Sequence, residues 1–391
     1  MKKVFILSPL ALENGRGGEI SSMELASGLN NYFNVIFADT NRFSGKKLFS
    51  RKIILKKLKG IKNVYRLNFA TARIGNKYFD IIYPLEFKKL YKLTKNCDII
   101  YSSISNLKIS LMLMILSTFN RKVKFIIGYR RPLHSEKLFS IYNLRYRLTI
   151  LLLSIFKKRV YHHALSHYAK RFLDNFYDPQ KVMHITHGIQ LDDYLVEDVN
   201  KEPLNVLKFV YIGYLDDIHK GVKVLAKGVE RFIEDHRPKD VFFEFCGMGP
   251  LESQIKALEH KFPEYIRFNG YVSYEKIVSY YQKNDVFLFS SRREPFPRVL
   301  MEALAAKLVI ICSKTVGSIE LLQGKNFAFF IKELNPEEIS KKILEVYEEW
   351  KKNLEHFRKL QSLAQGFVFN NYSSTIEISM LKDWIDKITS K

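Results

Sequence analysis

Short apolar runs alternate with amphipathic stretches along the first half of the chain. KKVFILSP, NVIFAD, CDIIYSS and KVKFIIGY read as buried strands, and helical spacing marks ISSMELASGLNNYF and SLMLMILSTF between them. A second series follows THGIQLDDY: LKFVYIGY, VFFEFCG, IRFNGYV, DVFLFSS and LVIICSK as strands, helices through GVKVLAKGVERFIEDH and VLMEALAA, and a helical tail. Strands alternating with helices predict parallel sheets with crossover helices, and two such series predict two doubly wound, Rossmann-like α/β domains. At 391 residues the chain exceeds the size at which one core stops growing, and a hydrophobic fraction of 47% is enough for two. The pattern breaks at VEDVNKEPLN, where charge meets proline, so the expected domains are residues 1–197 and 198–391.

Charge separates the two halves. Residues 1–195 hold 34 Lys+Arg against 12 Asp+Glu and residues 196–391 hold 29 against 28, so nearly all of the net +23 lies in the first half. Within it, KKLFSRKIILKKLKG sets Leu48, Phe49, Ile53, Leu55 and Leu58 among lysines at roughly helical spacing. A basic amphipathic segment of this kind is suited to an anionic membrane surface. The competing reading is a solvated basic face. No zinc-finger, helix-turn-helix or RNA-recognition pattern accompanies the charge, so nucleic acid is not an expected partner. Cys97, Cys246 and Cys312 are far apart, without metal or redox spacing, which fits a reducing compartment. The apolar runs ISLMLMILSTFN and LTILLLSIF are too short to span a bilayer, and MKKVFILSPL reads as a first strand rather than a leader. The expected location is cytoplasmic, peripheral on the cytosolic face of the membrane.

Ligands of open α/β sheets bind at the carboxyl ends of the strands, and the loops there are the informative ones. SPLALENGRGGEI carries Gly17 and Gly18 just before a helix; IGYLDDIHKG carries Gly213 and offers Lys220 as a cation; FCGMGP contains Gly247 and Gly249. Such glycines either let backbone N–H groups approach a phosphate or sugar, or simply make tight turns. SSRREPFPRVLMEALAAK places Glu294 in a proline-broken loop and Glu302 eight residues later on a largely apolar helix expected to start at Pro297. A carboxylate on the flank of a buried helix needs a polar partner, which a ligand could supply. The plainer reading is a turn acid followed by a Glu that favours the helix dipole.

IGYLDDIHKG, FCGMGP, FNGYVSYEKIVSYYQKNDVFLFSS and above all Glu294 to Glu302 resemble the donor-binding half of family 4 glycosyltransferases, with their Glu-x7-Glu signature. THGIQLDDY is similar to the stretch that closes the family's first domain. The resemblance covers about residues 160 to 330. It implies a GT-B fold, two Rossmann-like domains facing a central cleft, and a retaining hexosyltransferase. It implies further that Glu294 accepts hydrogen bonds from the transferred sugar and Glu302 from the ribose of a nucleotide-sugar donor. The N–H groups of Phe296, Pro297's successor Arg298 and Val299 would face the diphosphate, with Lys220 neutralising its charge. With cations and amide dipoles in that role no metal or other cofactor is expected, and Asp192, Asp193, Asp216 and Asp217 read as turn acids.

Some positions depart from the family pattern. Tyr214 stands where a second diphosphate cation, an Arg, is usual, with Arg16, Arg292, Arg293 and Arg298 as candidates to replace it. Pro297 stands for a Gly, and Lys307-Leu308 for a Gly-Pro. After KVKFIIG the chain has Tyr129 and Arg130, with His134 beyond, where a His is common. The expected acceptor is a glycan or a glycan on a polyprenyl phosphate. The alternative is a catalytically weak partner subunit that binds donor or glycan; a GT-B epimerase and a nucleic-acid-binding protein are lesser readings.

Overall fold

The computed structural model describes the chain apart from residues 10, 16, 42–46, 75–76, 83, 104–111, 113–114, 117–118, 121, 130–150, 152–157, 195–204 and 391. The described residues form two compact units, one of Met1–His187 with Ser374–Lys391, the other of Gly188–Ser373. The expected boundary at 197–198 falls among residues outside the description.

The first unit is built on a seven-stranded sheet of order β3-β2-β1-β6-β7-β8-β9. Its strands are β1 (Lys3–Leu7), β2 (Asn34–Thr40), β3 (Asn63–Leu67), β6 (Ile99–Ser102), β7 (Lys124–Tyr129), β8 (Val160–Ala164) and β9 (Val182–His184), and β4 (Phe69–Ile74) pairs antiparallel with β5 (Lys77–Ile82) in a separate hairpin. Every pairing in the large sheet is parallel. Strands buried on both faces read as unbroken apolar runs, which is why VFIL and KFIIGY were legible. The short β3, β8 and β9 carry polar residues and were not. Helix α1 (Gly17–Leu29) packs against the closing helix of the chain (Ser374–Thr389): a methyl on Gly28 would stand 2.5 Å from Ile378. Lys2 pairs with Asp386 of that helix at 2.7 Å.

Helix α2 (Arg51–Lys57) occupies the basic amphipathic segment, capped by Ser50, whose hydroxyl accepts from Ile53 N. Its apolar side faces inward. Phe49, Ile54 and Leu58 are buried, and of the segment's large apolar residues Leu55 alone is exposed, at 54%, among Arg51, Lys52, Lys56 and Lys59. Folding uses most of these apolar residues for the core, and the outward face is almost purely cationic.

The second unit holds a six-stranded parallel sheet of order β12-β11-β10-β13-β14-β15, from β10 (Leu207–Ile212), β11 (Val241–Cys246), β12 (Ile266–Gly270), β13 (Val286–Phe289), β14 (Val309–Ser313) and β15 (Ala328–Ile331). Helices Val222–His236, Glu252–Lys261, Tyr274–Gln282, Arg298–Ala305 and Val316–Leu322 connect successive strands, and two longer ones, Pro336–Lys352 and Leu354–Asn371, follow. Among the described residues no helix is long and apolar enough to cross a membrane. The two parallel sheets are the doubly wound α/β architecture that the strand–helix alternation predicts.

Candidate active site

Strand order in the second sheet reverses between β10 and β13, and loops diverge most at such a switch point. The loop after β10 carries Lys220; the loop after β13 carries Glu294. Lys220 Nζ donates to Glu294 Oε1, so the structure joins the two residues that the sequence singles out for chemistry. The loops are tied along their length. Arg292 N donates to His219 O at 2.8 Å, Arg292 Nε to Asp217 O at 2.9 Å and Ser290 Oγ to Lys220 O at 2.8 Å. Asp216 Oδ1 accepts from His219 N and Lys220 N, which makes it the turn acid its position predicts, and Asp217 pairs with Arg292 at 3.4 Å.

Glu294 itself is pinned from behind, where Gly317 N donates to its carbonyl at 3.0 Å. This contact and the close approach of Gly317 to Phe296 and Pro297 hold Pro297 extended, at φ −80° and ψ 106°. The helix therefore starts at Arg298, and Pro297 is its cap rather than its first residue, a one-residue correction. Phe296 is buried with its ring 5.8 Å from that of Tyr372, and Val299 is half-buried on the first turn.

Glu302 is 6% exposed and already has partners within the chain. Arg298 Nε donates to Oε1 at 2.8 Å from one turn earlier, and the Tyr281 hydroxyl donates to Oε2 at 3.1 Å. A carboxylate oxygen has two lone pairs, so each keeps one acceptor site beyond these bonds. Burial first, then the charge of Glu302, raises the Tyr281 pKa well above its ordinary value, which keeps the phenol a donor. The sequence reading missed Tyr281 and Ser290, and it considered Arg292 only as a diphosphate cation, not as the tie to Asp217. The only signal for Tyr281 and Ser290 was the position of Ser290 in the strand-end loop and of Tyr281 on a helix that reads as merely amphipathic.

The glycines of the second unit serve loop packing. Gly213 N donates to Cys246 O at 3.0 Å and Leu215 N to Met248 O at 2.8 Å. A methyl on Gly247 would lie 1.9 Å from Gly213 O and one on Gly249 2.5 Å from Leu215 O, and both residues have φ near +155°. This close approach of backbone to backbone requires glycine at both positions. Tyr214 is 48% exposed, its carbonyl held by the Tyr211 hydroxyl at 3.0 Å. Among the cations considered as its replacement, Arg292 and Arg298 are engaged with Asp217 and Glu302, and Arg16 lies outside the described residues. Arg293 is exposed beside Glu294 and has no ion-pair partner among the described residues.

In the first unit Gly17 opens helix α1, and Gly18 O accepts from Ser22 Oγ at 2.8 Å. The loop leading to them is anchored by Arg66, which forks between Glu13 and Asp39 at 2.5 Å each, while Asp39 also accepts from Leu12 N. Tyr129 is 1% exposed, with its hydroxyl 3.0 Å from Nδ1 of His162, so this side chain belongs to the core and not to a loop surface. Burial, then the charge of Lys181, pushes His162 down to about 3, so it is neutral at pH 7. Arg130 and His134 lie outside the described residues.

Residues 196–360 match the family described as Glycosyl transferases group 1. The second unit carries a group 1 glycosyltransferase domain. An uncharacterized glycosyltransferase of Methanocaldococcus jannaschii is 24% identical over 244 residues, 60% of either chain. The putative teichuronic acid biosynthesis glycosyltransferase TuaC of Bacillus subtilis is 31% identical over 153 residues, 37% of this chain and 36% of TuaC. The matched stretches thus span three-fifths of the first relative's length and about a third of the second's. Among solved structures, HepE of Anabaena in complex with UDP aligns with a TM-score of 0.75 at 16% identity, over 99% of this chain and 100% of that one. The group 1 domain is thus part of a chain whose fold throughout is that of the GT-B glycosyltransferases.

Proposed function

We propose that the chain is a retaining glycosyltransferase of family 4 that moves a hexose-type sugar from a nucleotide-sugar donor to a glycan, or to a glycan on a polyprenyl phosphate, at the cytosolic membrane face. The observation that carries the reading is the Lys220–Glu294 pair at the β10–β13 switch point, with the half-satisfied carboxylate of Glu302 on the helix that follows. One grouping offers a cation, a sugar-hydroxyl acceptor and a ribose-hydroxyl acceptor. HepE, whose structures hold UDP and UDP-glucose, supports a nucleotide sugar as the ligand.

In this reading Glu302 accepts from the ribose, Lys220 moves to the diphosphate, and Glu294, released from the lysine, accepts from the sugar. The bond from the anomeric carbon to the diphosphate breaks with its electron pair going to phosphate. The acceptor hydroxyl oxygen bonds that carbon from the same face and its proton passes to the departing phosphate oxygen. Lys220, the N–H groups at the start of the Arg298–Ala305 helix and Arg293 stabilise the growing negative charge, so no metal is required. The first unit takes the acceptor, and its excess of cations favours an anionic, lipid-borne one.

Incubating the purified chain with a panel of nucleotide sugars and measuring free nucleoside diphosphate, with and without membrane lipid extract, tests this. Release from one donor, stimulated by lipid, is the expected result. No release from any donor would reject the reading.

A further inference from the structure

Arg298 and Tyr281 bond the Glu302 carboxylate, and a third side chain, Tyr194, packs beside Tyr281. Tyr194 ends the short turn Asp192–Tyr194, where its backbone N donates to Leu191 O at 2.8 Å. Its ring lies 6.4 Å from that of Tyr281, whose hydroxyl is the one on Glu302. The side chain is 7% exposed, whereas Tyr281 is 0% exposed. Among the described residues no hydrogen bond reaches the Tyr194 hydroxyl. A hydroxyl with no partner within the chain is available to donate to a ligand, which then gains one hydrogen bond.

The chemistry of the neighbour says which ligand. Glu302 only accepts, so it binds the O–H side of a hydroxyl. A vicinal diol held by a carboxylate still presents oxygen lone pairs, and these need a donor. Tyr281 cannot serve, because it is fully enclosed and its proton is already given to Glu302. Resting on the reading of Glu302 as the ribose-binding residue, we propose that Tyr194 contacts the donor directly, its hydroxyl donating to an oxygen of the ribose diol that Glu302 holds. Tyr194 thereby makes the site selective for ribonucleotides over deoxyribonucleotides. Burial, then the charge of Glu302, raises its pKa well above the ordinary value, so it stays a proton donor throughout the working range.

The test uses the full chain and calorimetric titration with the nucleoside diphosphate it binds most tightly, and with the 2′-deoxy and 3′-deoxy forms of that nucleotide. Tyr194→Phe should weaken the ribonucleotide about five- to tenfold, the loss of one hydrogen bond, and narrow its advantage over one deoxy form by the same factor. The thermal midpoint should be unchanged. Tyr194→Phe binding all three nucleotides as the parent does, while Glu302→Gln loses the ribonucleotide, would overturn this inference and leave the ribose reading standing. Glu302→Gln binding the ribonucleotide as the parent does would overturn both.

Discussion

Lys220 donates to the Glu294 carboxylate across 74 positions of sequence, because the strands that precede them are neighbours at the point where the sheet reverses. In the proposed reading a diphosphate has to draw the lysine away from the acid, so the two residues would act on the donor as a coupled pair. Lys220→Ala is expected to lower kcat/KM by about 2–4 kcal/mol of transition-state stabilisation, as removal of one preorganised charge does. Glu294→Gln should lower kcat more than it raises KM. Since the residues touch, the double variant should lose less than the two single losses combined. Strictly additive losses in steady-state donor turnover would show that the pair is not coupled during the reaction.

With Glu302 on the donor ribose as proposed, Glu302→Gln should mainly raise the donor KM, since ribose binding is common to ground and transition states. Tyr281→Phe removes a buried hydrogen bond to a carboxylate and should lower unfolding free energy by about 1–3 kcal/mol in urea titration. A Tyr281→Phe chain as stable as the parent would mean that Glu302 finds another partner.

Arg292 ties the Lys220 loop to the Glu294 loop through its Nε bond to Asp217 O, at an exposed position. Arg292→Ala should leave the thermal midpoint nearly unchanged, because exposed pairs contribute little to stability. It should still reduce kcat several-fold by loosening the lysine, with a smaller effect on KM. Arg292→Lys, which keeps the charge without the planar fork, should restore little. Full activity in both variants would remove Arg292 from the positioning of the site.

With a folded-state pKa of about 3, His162 lies below its ordinary 6.5, so the unfolded chain takes up the proton first. Its contribution is complete above about pH 7 and falls by about 1.4 kcal/mol per unit as pH drops from 6.5 toward 3. His162→Gln should flatten the pH dependence of unfolding free energy between pH 6.5 and 5 by about one proton relative to the parent. An unchanged slope would mean that the imidazole is not the group titrating.

The outward face of helix α2 should bind anionic vesicles by charge rather than by insertion, since Phe49, Ile54 and Leu58 are buried. Each lysine near such a surface contributes roughly 1 kcal/mol, and salt screens it. Lys52, Lys56 and Lys59 changed together to Glu should abolish sedimentation with anionic vesicles at low salt and spare donor hydrolysis. Sedimentation by the triple variant, or its absence in the parent, would leave the segment a solvated face.

Periodicity and composition alone determined that this chain builds parallel sheets with crossover helices, because buried parallel strands must be apolar without interruption and VFIL, VYIG and VFLF are. The sequence also marked Glu294, Glu302 and Lys220, since each sits at a strand end or on the helix after it, where the chain's own core has no use for a charge. Tertiary structure alone decided what those groups touch. A hydrogen bond between distant segments depends on which strands become neighbours, so the Lys220–Glu294 pair, the Tyr281 bond to Glu302 and the Arg292 tie are absent from any local pattern, whereas Arg298–Glu302 is an i,i+4 pair on one helix. The same holds for direction: spacing could show that the Phe49–Leu58 stretch has an apolar side, but only packing decided that it faces the core.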